Sequence, residues 1–259
     1  MKLRSLMALA ALATLSAAPA FAHKLWLVPD AQSSASKQIA DIVYGHDFPT
    51  PELIPDERVK LFEPIKLVTP DGDKAFSQGA DYDNYHYSAA FELSDGNYLL
   101  RVDYKPTFWA NGDKGWQMTD KKGYDGTVTY GEEAVMAAKA ILQVGTSDDI
   151  SKITEPVGQK LEIIPLANPA SIKVGERFPI RVLFDGKPLK TGEVRARYEG
   201  FGGYEESAYV GRLDLKGEGS VVISHDGIWA IEVTHTTEHE DKDKADEFVA
   251  VSTLTFRIK

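Results

Sequence analysis

Apolar and polar residues alternate with a period of two along most of the chain, and short turn signals separate the alternating runs. In the second half, residues 171–200 alternate on both sides of Asp185-Gly186, and residues 215–235 do so around Asp226-Gly227. A last alternating run, 247–259, ends the chain. This period is that of strands with one buried face, and Asp-Gly favours hairpin turns. The pattern predicts an antiparallel β-sandwich of immunoglobulin or transthyretin type over residues 159–259.

The first half alternates less regularly but also predicts strands. Strand candidates lie at 23–29, 38–46, 59–73, 85–93 and 96–106. Residues 107–131 are rich in glycine and aromatic residues, and they predict a long loop. The Ala-rich segment 132–144 has two interpretations, a short helix or a segment that ends as a strand at 141–144.

These runs together predict an all-β fold class with two β-sandwich domains. The first domain would span residues 23–145 and carry the long aromatic loop. A polar segment, 146–158, would link it to the immunoglobulin-like domain at 159–259.

The first 22 residues have the organisation of a secretory signal peptide. Lys2 and Arg4 precede a short apolar run, and the small-x-small triplet Ala20-Phe21-Ala22 follows Pro19. This order of charge, apolar run and cleavage site is that of an exported protein, so we expect a soluble chain in the periplasm that begins at His23. A terminal His23 would offer both its imidazole and its α-amino nitrogen to one ion.

The net charge and the sulfur content of the chain narrow its possible partners and metal ligands. Without Lys2 and Arg4, 27 basic residues face 39 acidic ones, a net charge of −12. Such a chain repels phosphate backbones, so nucleic acid and anionic membranes are unfavourable partners. The chain has no cysteine, and only Met118 and Met136 remain after cleavage. Soft Cu(I) sites need sulfur ligands, so any metal would meet nitrogen and oxygen donors.

Histidines are the candidate ligands, and strand parity predicts which of them face the core. His46 shares a face with Ile42 and Tyr44 at the end of one strand, and His235 shares the apolar face of another. Both positions equally suit a histidine that caps a strand end through backbone hydrogen bonds. His86 is predicted to face outward, and His225 belongs to a turn. His239 and the neighbouring Glu238 lie in a charged loop that is solvated in most proteins but could complete a ligand shell.

Catalytic motifs are missing from the sequence. It contains no HExxH, no GxSxG elbow, no P-loop and no glycine-rich nucleotide loop between a strand and a helix. The sequence predicts no catalytic residue and favours a binding protein over an enzyme. Because the local metal-binding motif HExxH is absent, any metal site must be assembled by the fold from distant segments.

Several segments resemble the NikM-like family of exported proteins associated with nickel and cobalt uptake. They are "AHKLWLVP", "YGHDFPTPELIPDERV", "KKGYDGTVTYGEEAVMAAKAI", "KLEIIPLANPASIKVGERFPIRVLFDGKPL" and "GIWAIEVTHTTEHEDKDKADEFVAVSTLTF". The resemblance implies a periplasmic two-part β protein that acts beside a TonB-dependent receptor or an inner-membrane metal permease. The histidines within the resembling segments that we select as ligands are His23, His46 and His235.

These observations lead to one hypothesis and two alternatives. The hypothesis is a periplasmic protein that binds a divalent transition metal ion, nickel or cobalt before copper or zinc. Its ligands would be His23, His46 and His235, completed by His86, His239 or Glu238. One alternative is a copper protein or enzyme that uses the terminal histidine and a second histidine as a brace. The other is an exported module that binds a glycan or a protein through its aromatic loop.

Overall fold

A computed structural model describes residues 23–80, 83–203 and 206–259 of the chain. The predicted signal peptide, 1–22, lies outside the described residues. Within them, none of the helices has the length and apolarity to cross a membrane.

Seventeen strands and two short helical turns make up the described chain. The helical turns are α1 (Asp56–Val59) and a 3-10 turn at Pro169–Ser171. The strands are β1 (Lys24–Pro29), β2 (Gln38–Gly45), β3 (Lys66–Leu67), β4 (Lys74–Ala75), β5 (Ser77–Gln78), β6 (His86–Ala89), β7 (Gly96–Gly112), β8 (Gly115–Gln117), β9 (Val128–Val144), β10 (Leu161–Pro165), β11 (Arg177–Phe184), β12 (Lys187–Pro188), β13 (Glu193–Tyr198), β14 (Tyr209–Arg212), β15 (Glu218–Val222), β16 (Gly227–Glu238) and β17 (Glu247–Ile258).

A nine-stranded sheet, here called the central sheet, runs through both halves of the chain. Its order is β14-β13-β16-β17-β9-β7-β3-β4, with β8 paired to β7. The last strand, β17, pairs in parallel with β9 from the first half, so that Val135 lies opposite Ala250. Every other strand pair is antiparallel. The two halves are therefore joined through backbone hydrogen bonds of one sheet.

Two smaller sheets cover opposite faces of the central sheet. The first outer sheet has the order β1-β2-β6-β5, and the second contains β10, β11, β12 and β15. Alternate residues of β17 show the division: Val249 and Val251 belong to one core, whereas Ala250 and Leu254 belong to the other. The predicted all-β, sandwich-type fold class is confirmed. The domain boundaries predicted above remain a prediction, and the shared sheet is what connects the two halves.

The predicted long aromatic loop is wrong over much of its length. Strand β7 continues to Gly112, β8 follows at Gly115, and β9 begins at Val128. Strands β7 and β9 are each 17 residues long and pair from Gly96 to Gly112 with two register shifts, and this pairing extends both strands through the glycine-rich segment.

The helical interpretation of residues 132–144 is also wrong, because the whole segment lies within β9. Its even-numbered residues from Met136 to Val144 pack into the first core, and Ile141 packs into the second. A strand buried on both faces loses the alternation that identifies it, and packing then overrides the helix propensity of alanine.

The two predicted Asp-Gly turns differ in outcome. Asp185 and Gly186 both adopt positive φ and connect the paired strands β11 and β12, so this hairpin is confirmed. Asp226-Gly227 does not close a hairpin, since β15 pairs with β11 whereas β16 pairs with β13 and β17. That turn instead carries the chain from the second outer sheet to the central sheet.

A buried ion pair fixes the connection between the two halves. Lys139 of β9 is fully buried, and its Nζ lies 2.9 Å from Glu162 Oε1 of β10. The same carboxylate accepts the backbone N–H groups of Val157 and Gly158. Removing one partner of such a pair leaves an uncompensated buried charge, which is costly.

We expect Lys139→Met to destabilise the protein by about 3–5 kcal/mol, because Glu162 would keep its charge without the ammonium group. Urea unfolding measures this cost. The matched control is Lys114→Met, which breaks the exposed pair with Asp125 and should cost less than about 1 kcal/mol. Equal losses in the two variants would contradict a role for the buried pair.

Candidate metal centre

Two histidines face each other where the β1–β2 ladder ends. Lys24 lies opposite Gly45, so the next antiparallel pair outward is His23 opposite His46. Directly opposed residues of a ladder share a face, and here the two imidazole ring centres are 4.4 Å apart. The shared face that strand parity predicted for Tyr44 and His46 thus includes His23, which stacks on Tyr44 with ring centres 5.0 Å apart.

The third member of the cluster, Glu52, comes from the loop after β2. This loop turns back through a hydrogen bond from Thr50 N–H to the Asp47 carbonyl, 2.7 Å long. Glu52 Oε1 then accepts the backbone N–H of His46 at 2.8 Å and lies 3.3 Å from His46 Nδ1. One ligand atom each from His23, His46 and Glu52 lies within 4.8 Å of the other two.

This donor set fits a divalent transition metal ion. Two imidazole nitrogens and one carboxylate oxygen suit nickel, cobalt, zinc or Cu(II). The His46 and Glu52 side chains are 40% and 42% exposed, and His23 is half-buried. An ion could therefore enter from solvent and leave again without opening the core.

Electrostatics favour the protonation states that an ion needs. Burial, followed by the neighbouring His46 and Arg58, lowers the pKa of His23, and Glu52 opposes these effects. The hydrogen bond from the His46 backbone N–H is the largest of the effects that hold the pKa of Glu52 below its usual value. At neutral pH this leaves a neutral His23 imidazole and an ionised Glu52, the forms that bind metals.

Two contacts hold the cluster in place. Lys24, next to His23, pairs with Glu232 of β16 at 2.9 Å, which anchors the start of β1 to the central sheet. The Glu52 side chain lies against the bare Cα of Gly45, and an added Cβ there would approach its Cδ to 2.6 Å. Gly45 therefore leaves the space that the carboxylate occupies.

The structure does not bring His235 to this cluster. His235 shares the face of β16 with Ile231 and Val233, which belong to the second core, and its ring packs edge-on against Phe184 at 4.6 Å. The first core, which contains Tyr44, lies on the other face of the central sheet. Strand parity predicted that His235 faces the core. The central sheet, however, separates it from His23 and His46. Burial lowers the pKa of His235.

The remaining predicted ligands also have other neighbours. His86 Nδ1 lies 2.7 Å from Asp41 Oδ1 on the neighbouring strand. His239 Nε2 lies 2.9 Å from Glu133 Oε2, and the exposed Glu238 lies 3.4 Å from Lys242. Each of these contacts accounts for its residue without a metal.

Sequence analysis missed Glu52. It lies six residues after His46 in a segment with two prolines, and strand parity has no meaning in such a loop. The signal that the sequence offered was an acidic residue six positions after a histidine at a strand end.

Comparison with known proteins gives one family and several distant likenesses. A family model described as a domain of unknown function (DUF4198) matches residues 20–237. No curated protein matches the chain. Among solved structures, the D0-D1 domain of intimin is 9% identical with a TM-score of 0.23, and the match covers 89% of this chain and 97% of that one.

Two further structures give similar values. A DUF3823 family protein from Bacteroides uniformis is 11% identical with a TM-score of 0.25, covering 82% of this chain and 96% of that one. A chimeric titin Z1Z2 tandem is 10% identical with a TM-score of 0.20, covering 87% and 92%. Likenesses at this level have no bearing on function.

The space beside Gly45 provides a test of the cluster. Gly45→Ala should push the Glu52 carboxylate away from the cluster. We expect Ni(II) binding to weaken by at least about tenfold, because the loss of even a group that only orients a metal ligand costs that much. Stability should change little, because Glu52 is a flexible side chain that can move. Isothermal titration with Ni(II) and thermal unfolding measure the two effects.

Gly203→Ala is the matched control, since an added Cβ there meets nothing within 4 Å. Unchanged nickel affinity in Gly45→Ala would show that Glu52 is not a ligand.

Proposed function

Since the chain belongs to the DUF4198 family, defined by a domain of unknown function, we propose its function from the site itself. The protein binds a divalent transition metal ion through His23, His46 and Glu52. The observation that carries this proposal is the convergence of two imidazoles and one carboxylate at a strand end, with all three ligand atoms within 4.8 Å of one another.

Export processing would complete the site. Cleavage after Ala22 turns His23 into the first residue, and its α-amino nitrogen then joins its imidazole as a second donor on the same residue. Four protein donors would still leave positions open in a five- or six-coordinate shell. Open positions and partly exposed ligands suit a protein that captures and releases its ion.

Nickel or cobalt is the proposed ion. The donor set alone does not select it, because nitrogen and oxygen sites bind Cu(II) most tightly among these ions. The support comes from the resemblance of five segments to the NikM-like family of exported proteins. On that basis the protein acts in the periplasm as an accessory to metal uptake, beside a TonB-dependent receptor or an inner-membrane permease.

A copper brace is the second candidate. It is favoured by one observation: the ring centre of His23, which the predicted cleavage would make the first residue, lies 4.4 Å from that of His46. Consumption of oxygen and reductant by the copper-loaded protein distinguishes this enzyme from a metal carrier.

Ligand substitution is the direct test. We expect His46→Ala to weaken Ni(II) binding by about 10- to 100-fold or more, because it removes one donor and the side-chain contact to Glu52. His86→Ala is the matched control, since His86 has a similar exposure but pairs with Asp41. Isothermal titration of the processed protein measures both. Equal affinities in the two variants would overturn the proposal.

The terminal amine can be tested separately. One alanine added before His23 converts the amine into an amide and leaves every side chain in place. We expect nickel affinity to fall by at least about tenfold. Mass spectrometry of the exported protein must show His23 as its first residue, and a different start would remove the amine from the site.

A further inference from the structure

Arg58 is a half-buried cation beside the metal cluster. It lies in α1, and its Nη1 donates a hydrogen bond to the Tyr44 hydroxyl at 3.2 Å. Its guanidinium carbon is 6.0 Å from the Tyr44 ring centre and 5.5 Å from the Trp109 ring centre. Aromatic contacts stabilise the guanidinium but do not neutralise it.

No carboxylate in the described part of the chain lies within ion-pair distance of Arg58. The acidic neighbours Asp56 and Glu57 occupy the same helical turn, yet both are exposed and neither forms a salt bridge with it. This contrasts with Lys24 and Lys139, whose partly or fully buried ammonium groups each pair with a glutamate. A half-buried charge without a counter-charge is less favourable than a paired one, so an anion at this position would stabilise it.

The cation and the cluster share one aromatic ring. His23 stacks on the face of Tyr44, while Arg58 binds the hydroxyl of the same ring. A bare dication bound to His23 would be repelled by the guanidinium charge, because both groups contact Tyr44. An anion between the metal and Arg58 would remove this repulsion.

We propose that the ion is bound together with a small polycarboxylate of the citrate class. One carboxylate would occupy an open coordination position on the ion, and another would pair with Arg58. This inference rests on the metal-binding function proposed above. The planar fork of arginine matches a carboxylate through two parallel hydrogen bonds, which explains why the position holds arginine.

The net negative charge of the whole chain makes carboxylate binding depend on the metal. The chain after residue 22 has a net charge of −12, which disfavours free anions near its surface. A single cation cannot overcome that field for an anion alone, but a metal and Arg58 together present three positive charges against the one negative charge of Glu52. We therefore expect the carboxylate to bind only when the metal is present.

Equilibrium dialysis of the processed full chain with radiolabelled citrate tests this, with and without Ni(II). We expect about one citrate per protein when Ni(II) is present and none without it. Arg58→Met should retain at least about tenfold less citrate at the same free concentrations, the loss of one charge-assisted contact. Arg58→Lys should fall between them, because it keeps the charge but not the fork.

Bare Ni(II) affinity provides the second measurement. Arg58→Met should bind Ni(II) without citrate as tightly as the unaltered protein or more tightly, because a repulsive charge is removed. Arg177→Met is the matched control, since Arg177 is exposed on the second outer sheet and should affect neither measurement.

Four outcomes would overturn the inference. They are citrate retention without Ni(II), full retention by Arg58→Met, equal retention of inorganic phosphate in place of citrate, and nickel binding without any citrate retention. The last of these would leave the proposed function in place. A failure of the unaltered protein to bind Ni(II) would instead overturn the proposed function itself.

Discussion

The parallel pairing of β9 with β17 is the constraint on which the rest of the structure depends. It joins a strand of the first half to the last strand of the chain and makes the central sheet continuous. Because both faces of this sheet are then covered, residues of one strand alternate between two cores, as Val249 and Ala250 do. The outer sheets can only occupy the two faces that this pairing creates. The position of His235 follows from the face of β16 on which it falls.

The metal cluster is a product of backbone register more than of side-chain packing. His23 and His46 meet because the β1–β2 ladder has one particular pairing, and Glu52 is held by the backbone N–H of His46. Sites built on paired strands keep their geometry better than sites on free loops. The three candidate ligands are therefore already positioned, and an ion would bind with less loss of ordering entropy.

Sequence alone could predict the parts that depend on local alternation. Strands β1, β2, β16 and β17 were predictable because each alternates along part of its length, and the same parity placed His46 beside Tyr44. It could not predict β9 beyond its last residues, 141–144, since burial on both faces removes the alternation and alanine favours a helix. Parity also placed His235 inward, but alternation does not tell which of two cores a residue enters. Glu52 needed the path of a loop, which no periodicity describes.

The location of the cluster at the open end of a ladder has a consequence for the edge strand itself. β1 has only one partner, β2, within its sheet, and apart from the Lys24–Glu232 ion pair its first pair lies at the end of the ladder. An ion bridging His23 and His46 would act as a staple across that end and close the loop between the two strands, with the entropic gain that any such cross-link brings. Metal binding would therefore make the edge strand β1 less prone to separate from β2.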